Sequence, residues 1–423
     1  MPQAFGCPTP YAEPLWYSRD TSPHYNDSHR KLRASVRNYV DEELRPFAFE
    51  WESSGEIPEE VYKRHAELGY LALSTGLKNV PLPGGIPSED WDEWHTLIVN
   101  DELTRVGYTG VSWGTGGGNG IGCPPIVNFG TEEQKIKWLP GVANGSIRFC
   151  LGITEPDAGS DVANIQTTAI RQGNNYLVNG SKKWITNGIW ADFCTAAVRT
   201  GGPGAKGISL LIILLSSPGV KRRRMHNSGV NASGSTFITF EDVLVPTSNL
   251  LHIENRGFEV IMSNFNAERR AIATQSLRLS RVCIQDAWEY ANERETFGRK
   301  LIENERIRGK FVKMGRMVEP AWAMLEELTW LVQNGGDEVK LGGMTALVKI
   351  VATRCLEKCA REAQQVLGGL GYARGGKGGR IEAISRDARV MAVGGGSEEI
   401  MGELAIREEA KDLSRYAKGA SKL

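Results

Sequence analysis

Tyr176-Leu-Val-Asn-Gly180, continued by Ser181-Lys-Lys-Trp-Ile-Thr186, is the stretch that decides how this chain is organised. Strand-forming residues flank an Asn179-Gly180 pair, which predicts a hairpin on an Asn-Gly turn. Further strand candidates run from Phe193 to Arg199, Gly207 to Leu215 and Thr236 to Val245, separated by Gly, Ser and Asn clusters. Upstream the apolar spacing is helical instead. From Ser28, residues Leu32, Val36, Tyr39, Val40 and Leu44 recur every three or four positions until Pro46. Helices are also expected from Pro58 (Val61, Leu68) and across Trp91 to Val106. Thr131-Glu-Glu-Gln134 has the form of a capping box, followed by Ile136 and Leu139, with Pro140 as the expected stop. Helical spacing returns at Gly257 and dominates to the end. Val339 to Leu367 is expected to be a long helix interrupted at Gly342-Gly343.

This order predicts an extension over 1–24, poorly structured, and a helical domain over 25–146. A β domain over 147–252 and a helical domain over 253–420 follow. It is not the alternation of a parallel α/β fold, and no internal repeat suggests a solenoid.

Composition narrows the functional classes. The 423 residues carry 50 Lys+Arg against 50 Asp+Glu, so a nucleic-acid partner is not expected. An apolar fraction of 41% with 24% charged residues is that of a folded globular chain. The best apolar run, Ile208 to Leu215, suits a buried strand and falls short of the ~18 residues of a membrane span, so no membrane partner is expected. The 7 cysteines are scattered, and the one close pair, Cys355 and Cys359, has no neighbouring His or Cys pair. Metal-ligand spacing is absent, no metal is expected, and all are read as reduced, mostly buried thiols. Residues 1–20 have neither the apolar core of a secretory signal nor the acid-poor character of a mitochondrial presequence. The final Ser421-Lys422-Leu423 is the address read by the peroxisomal import receptor, and Ala417 to Ala420 before it is expected to be flexible.

Two glycine-rich stretches fail as nucleotide motifs. Gly114 to Gly120 does not give GxGxxG, and Gly371 to Lys377 is followed by Gly378 where a P-loop needs Ser or Thr. Lys221-Arg-Arg-Arg224 reads as a solvated loop, with attraction of an acidic ligand as the alternative. One carboxylate does stand out. Glu268 lies at 265+3 and 272−4, on the stripe of Ile261, Phe265 and Ile272. A carboxylate on a buried face is either ion-paired, with Arg269 and Arg270 beside it, or functional, desolvation raising its pKa to that of a useful base.

Leu151-Gly-Ile-Thr-Glu-Pro-Asp-Ala-Gly-Ser-Asp161, Lys183-Trp-Ile-Thr-Asn-Gly188, Arg294-Glu-Thr-Phe-Gly298, Gln365-Val-Leu-Gly-Gly369 and Arg386-Asp-Ala388 resemble the signature blocks of the acyl-CoA dehydrogenase family, in family order. The resemblance implies a helical N-terminal domain, a middle β-barrel and a C-terminal four-helix bundle, in a homotetramer or homodimer. It also implies FAD bound between the β domain, the bundle and a neighbouring subunit. By position, Ile153 and Thr154 would meet the flavin edge, Ser160 the pyrophosphate, and Trp184 with Thr186 the isoalloxazine. Arg294 and Phe297 would reach a neighbour's cofactor, with Gln365 and Gly369 nearby. Hydroxyls and an Arg suit phosphate oxygens, and an indole suits stacking.

The family's reaction is α,β-dehydrogenation of an acyl-CoA thioester to the trans-2-enoyl-CoA, a carboxylate taking the α-proton as hydride passes to flavin N5. Electrons go on to an electron-transferring flavoprotein or, in an oxidase-type alternative, to O2. A non-catalytic flavin or acyl-CoA binding protein is the other alternative. The commoner base position falls on Gly395, within Gly394-Gly-Gly-Ser-Glu-Glu399. The isovaleryl-CoA and long-chain members instead carry the base in a motif resembling Phe265-Asn-Ala-Glu-Arg269, which implies Glu268. Arg269, Gly394 and Gly395 would then border the substrate, with Ser397 and Glu399 near the cofactor. Glu305, where many relatives have Gln, and Leu151, where an aromatic is usual, depart from the pattern.

Overall fold

The computed structural model describes residues 5–19, 21–337 and 340–420, with 412 and 415–420 described by backbone alone. The Ser421-Lys422-Leu423 ending lies outside the described residues. Two compact units make up the chain: Met1–Phe49, Trp91–Thr109 and Asn266–Leu423 form one, and Glu50–Asp90 with Gly110–Phe265 form the other. No helix of the described residues is long and apolar enough to cross a membrane.

In chain order the first helices are α1 (Asp27–Tyr39), α2 (Ala48–Ser54), α3 (Glu59–Glu67), α4 (Glu93–Thr104), α5 (Thr109–Gly114), α6 (Gly117–Gly122), α7 (Pro124–Phe129) and α8 (Glu132–Ala143). The strands are β1 (Phe149–Gly152), β2 (Thr168–Gln172), β3 (Asn175–Ile185), β4 (Phe193–Arg199), β5 (Ile208–Leu214), β6 (Val220–Arg224), β7 (Thr236–Pro246) and β8 (Leu250–Leu251). The long helices α9 (Gly257–Glu293), α10 (Glu305–Gln333), α11 (Gly342–Leu367), α12 (Gly379–Val393) and α13 (Glu398–Ala420) follow, with a small hairpin, β9 (Glu295–Thr296) and β10 (Arg299–Lys300), after α9.

The second unit is built on an eight-stranded sheet in the order β6-β7-β3-β2-β4-β5-β8, with β1 parallel to β4. Both faces of its centre are covered. Ala197, Ile208, Leu210 and Ile212 pack on one side with Trp138 and Leu139 of α8, while Cys194, Ala196, Leu211 and Ile213 pack on the other with Val178 and Phe240. A strand buried on both faces needs no polar alternation, which explains the apolar run at Ile208. Helix α8 opens on the expected capping box, Thr131 Oγ1 accepting from the Gln134 N–H. It runs through Pro140 to Ala143, past the expected stop.

Three local expectations change here. Tyr176 to Ile185 is a single strand, and the two-residue turn sits earlier, between Gln172 and Asn175, with Gly173 at φ +57°. Gly at the first turn position suits the twist of a two-residue hairpin. Gly180 (φ +146°) instead marks a bulge, where a Cβ would lie 2.6 Å from the Thr167 Cα. Lys221 to Arg224 is not a loop but part of edge strand β6, paired with β7, and charged residues on an edge discourage pairing with other chains. Arg222 there donates to the Gly188, Ile189 and Ala191 carbonyls.

In the helical unit, residues 5–19 are packed rather than loose. Trp16 and Tyr17 are buried, and Glu13 accepts from Arg37 at 2.8 Å and from Arg278 at 2.7 Å. Arg37 also reaches Glu102 at 2.8 Å, and Arg278 Nε reaches Asp101 at 2.8 Å. The sequence gives no periodic signal for this segment because ion pairs, not an apolar stripe, hold it. Helix α11 starts at Gly342, so the two glycines lie in its first turn instead of interrupting it. Helix α13 continues to Ala420, so the 417–420 segment is helical where flexibility was expected. All seven cysteines are free, and only Cys7 is not buried.

Burial pushes the Glu13 carboxyl up, but Arg278, Arg37 and Arg105 outweigh it and hold its pKa down at about 2. A carboxylate pKa lowered by folding adds stability above its unfolded value, and that stability is lost as pH falls from ~4.5 to about 2. Glu13→Gln should destabilise the protein at pH 7 by ~3 kcal/mol, since it strips a partner from buried guanidinium groups. It should also flatten the acid limb of a plot of Tm against pH; a variant with the wild-type acid limb would show that Glu13 does not carry this linkage.

Candidate active site

Glu268 sits in α9 one turn beyond Phe265 and one turn before Ile272. Ile261 and Phe265 pack into the apolar core of the sheet unit, and Ile272 Cδ1 lies against the Gly394–Gly396 turn. Glu268 keeps some exposure, yet its carboxyl is desolvated enough to raise its pKa to about 8, with the Arg269 guanidinium pulling the other way. Such a group is neutral at low pH and becomes a base near neutrality.

Arg269 is buried. Its Nε donates to the Gly395 carbonyl at 3.0 Å and its Nη1 to Asn266 Oδ1 at 3.0 Å. These bonds tie the helix carrying Glu268 to the turn where the commoner base would stand. Gly395 has φ +67°, and a Cβ there would lie 3.0 Å from Ile272 Cδ1 and 3.5 Å from Arg269 Cγ. A side chain at 395 would therefore be strained and would press on Ile272 of α9.

Sequence reasoning missed Lys349. Its fully buried Nζ donates to the Ala392 carbonyl and, at 2.8 Å, to that of Gly396, so both sides of the glycine turn are held by cations. Burial, then the charge of Arg269, lowers its pKa to about 8. The test that singled out Glu268 also finds it: Lys349 lies at 346+3 and 352−3, among the buried Ala346, Ala352 and Leu356.

In the sheet unit, the Ile153-Thr154 segment is anchored to β3. The Thr154 carbonyl accepts from the Lys183 N–H at 2.8 Å, and that of Ile153 accepts from Lys182 Nζ at 3.1 Å. Lys182, fully buried, pairs with Glu155 at 2.7 Å, and Glu155 also accepts from the Gln166 and Thr167 amides. Glu155 and Lys182 lie 27 residues apart, and no local pattern reveals them. Trp184 is a bulky residue at φ +66°, 52% exposed, where the β3–β7 register slips. Such strain in an exposed indole marks functional surface better than packing. The hydroxyls of Thr154, Ser160 and Thr186 make no hydrogen bond with the described residues.

The other expected cofactor residues lie on exposed surface of the helical unit. Phe297 is fully exposed at the tip of the β9–β10 hairpin, at φ +52° beside Gly298 at φ +76°, and Arg294 precedes it. Gln365 and Gly369 are exposed around the C-terminal end of α11. The Ser397 carbonyl accepts from the Met401 N–H at 2.9 Å, opening α13. Glu399 is exposed, whereas its neighbour Glu398 is engaged by Arg354.

The family patterns "Acyl-CoA dehydrogenase, N-terminal domain", "middle domain" and "C-terminal domain" match residues 26–146, 150–243 and 255–409 in turn. The chain belongs to the acyl-CoA dehydrogenase family. It is 49% identical to "Acyl-CoA dehydrogenase AFT10-1" of Alternaria alternata, over 98% of this chain and 99% of that one. A probable acyl-CoA dehydrogenase from Mycobacterium abscessus superposes with a TM-score of 0.83 at 36% identity, over 92% of this chain and 99% of that one. Butyryl-CoA dehydrogenase of Megasphaera elsdenii gives 0.83 at 26% identity, over 91% and 98%. The protein is an FAD-dependent acyl-CoA dehydrogenase. The hydroxyls of Thr154, Ser160 and Thr186, without a bond to the described residues, and the exposed Trp184 indole are a set of groups whose chemistry fits FAD.

Because folding raises the Glu268 pKa from 4.5 to about 8, the folded state binds the extra proton and loses stability as pH climbs through that window. Glu268→Gln, which cannot ionise, should match the wild type near pH 4 and gain on it progressively up to pH 8. Scanning calorimetry of both proteins across that range is the check, and a constant difference in Tm would place the Glu268 carboxyl in an unperturbed environment.

Proposed function

We propose that Glu268 is the base that removes the α-proton of a fatty or branched acyl-CoA, and that the enzyme works in the peroxisome as a homotetramer. One observation carries the assignment of the base: a carboxyl on a largely apolar helical stripe, its pKa raised by burial to about 8, beside a turn with glycine at 395 in place of the alternative. FAD supplies the hydride acceptor. Thr154, Ser160, Trp184 and Thr186 hold it from the sheet unit, and Arg294, Phe297, Gln365 and Gly369 serve the cofactor of a neighbouring subunit. Desolvation makes the ionised Glu268 a strong base, and the adjacent Arg269 keeps that ionised form within reach near neutral pH. Arg269, Gly394 and Gly395 border the acyl thioester. Electrons leave to an electron-transferring flavoprotein or to O2. The Ser421-Lys422-Leu423 ending supports import through the peroxisomal receptor.

Anaerobic titration of the purified protein with a panel of acyl-CoAs, followed by the flavin absorption bands, tests the reaction. One chain class should bleach the flavin, at a rate that rises with pH toward a plateau above about 8. Glu268→Gln should stay yellow and not bleach; full activity in that variant refutes the base. Air admitted at the end should reoxidise the flavin rapidly if O2 is the acceptor and slowly if a flavoprotein is. For location, a fluorescent fusion ending in the native tail should be punctate with peroxisomal markers, and its counterpart lacking Ser421-Lys422-Leu423 diffuse. An unchanged pattern after that deletion would remove the tail as the address.

A further inference from the structure

Beneath the Ile153-Thr154 segment the sheet unit buries an ion pair whose two members also bond to backbone. Lys182 Nζ lies 2.7 Å from Glu155 Oε1 and donates at 3.1 Å to the Ile153 carbonyl. Glu155 accepts from the Gln166 amide and, at 3.0 Å, from that of Thr167. A buried pair adds little stability over apolar side chains of the same volume, so stability alone does not account for it. Its position says more. The Ile153 carbonyl and the Thr154 N–H belong to one peptide unit, and in a trans peptide they point in opposite directions. With the carbonyl aimed at the buried ammonium, the N–H is aimed away from it. That N–H and the Thr154 hydroxyl have no partner among the described residues. The following peptide is fixed as well: the Thr154 carbonyl accepts from the Lys183 N–H at 2.8 Å, and the Glu155 N–H donates to the Ala158 carbonyl at 3.0 Å. Thr154 is held on both sides and left with two donors unspent.

We propose that Lys182, paired with Glu155, is a positioning residue that fixes and polarises the Ile153–Thr154 peptide, so that the Thr154 N–H donates strongly to the flavin edge and raises the flavin's reduction potential. The inference rests on the reading that Thr154 meets the flavin. A cation on the carbonyl oxygen draws electron density through the amide, and hydrogen bonds joined in this way strengthen one another. A donor set in advance gains most against an acceptor whose negative charge grows on reduction.

Glu155 has the complementary task. Burial lowers the Lys182 pKa, and the Glu155 carboxylate opposes that fall. The pair carries no net charge, so it acts by direction: its ammonium touches the peptide before Thr154, while its carboxylate is engaged by the Gln166 and Thr167 amides. Lys183, bonded to Thr154, stands between Lys182 and the exposed Trp184. One short stretch of β3 therefore carries the cation, the clamp on Thr154 and the strained indole.

Anaerobic redox titration against a reference dye tests this on the FAD-loaded wild type, Lys182→Met and the double variant Lys182→Met/Glu155→Gln. The double variant removes both charges at once and leaves no buried ion unpaired, which protects the fold where the single substitution does not. In both, the ratio of reduced to oxidised flavin at a fixed solution potential should fall ~10-fold, a shift of about 30 mV to the negative for a two-electron couple. Val178→Ala, which opens a cavity in the same strand, should lower Tm and leave the potential unchanged. A wild-type potential in the double variant, an equal shift in Val178→Ala, or a double variant unable to hold FAD would each overturn the proposal. Thr154→Val separates it from the reading beneath it. Losing only the hydroxyl, this variant should bind FAD ~10-fold more weakly. Unchanged binding would place the flavin elsewhere and sink both ideas, whereas weakened binding with a wild-type potential in the Lys182 variants sinks the polarised peptide alone.

Discussion

Buried charge organises the helical unit. Arg278 of α9 is fully buried and can remain so only because Glu13 and Asp101 meet its guanidinium from two other segments. Taking such a charge out of water costs several kcal/mol, and an incomplete set of partners would leave that cost uncovered. The network therefore accepts one rotation of α9 about its axis, and ten residues upstream on the same rigid helix that rotation determines which way Glu268 faces. The N-terminal segment is part of this constraint, since Glu13 bridges Arg37 and Arg278.

Around Glu268 the same physics takes another form. Arg269 and Lys349 are buried cations that donate hydrogen bonds to carbonyls of the Ala392–Gly396 region. Desolvation dominates at Glu268 and raises its pKa, while the Arg269 charge limits the rise. A carboxyl without that neighbour would be a stronger base but would be ionised more rarely. The opposing effects place its titration within reach of neutral pH.

Much of this was legible along the chain. Apolar spacing located the strands at Phe193, Ile208 and Thr236 and the helix after Gly257, because those elements bury a face against a core. Glu268 was visible for the same reason, as a charge out of place on an apolar stripe. Lys349 carries the same signal on α11. The Asn179-Gly180 turn was misread because the residue pair suits a hairpin, yet the strand from Asn175 to Ile185 pairs with β7 on both sides of Gly180, and the register absorbs Gly180 as a bulge. Pairing over a full strand outweighed a local turn preference.

By itself the sequence determined the α-β-α order, the family blocks and the candidate base, since each depends on residue type at short spacing. Only tertiary structure decided the rest: the Glu155–Lys182 pair beneath the Ile153-Thr154 segment, the Glu13 network that orders the N-terminal residues, and the crowding of Gly395 by Ile272 and Arg269. Each joins residues far apart in the chain, through ion pairs or close contacts that leave no periodic trace. Hydrophobic periodicity is written locally, whereas the partner of a buried charge is chosen by the fold.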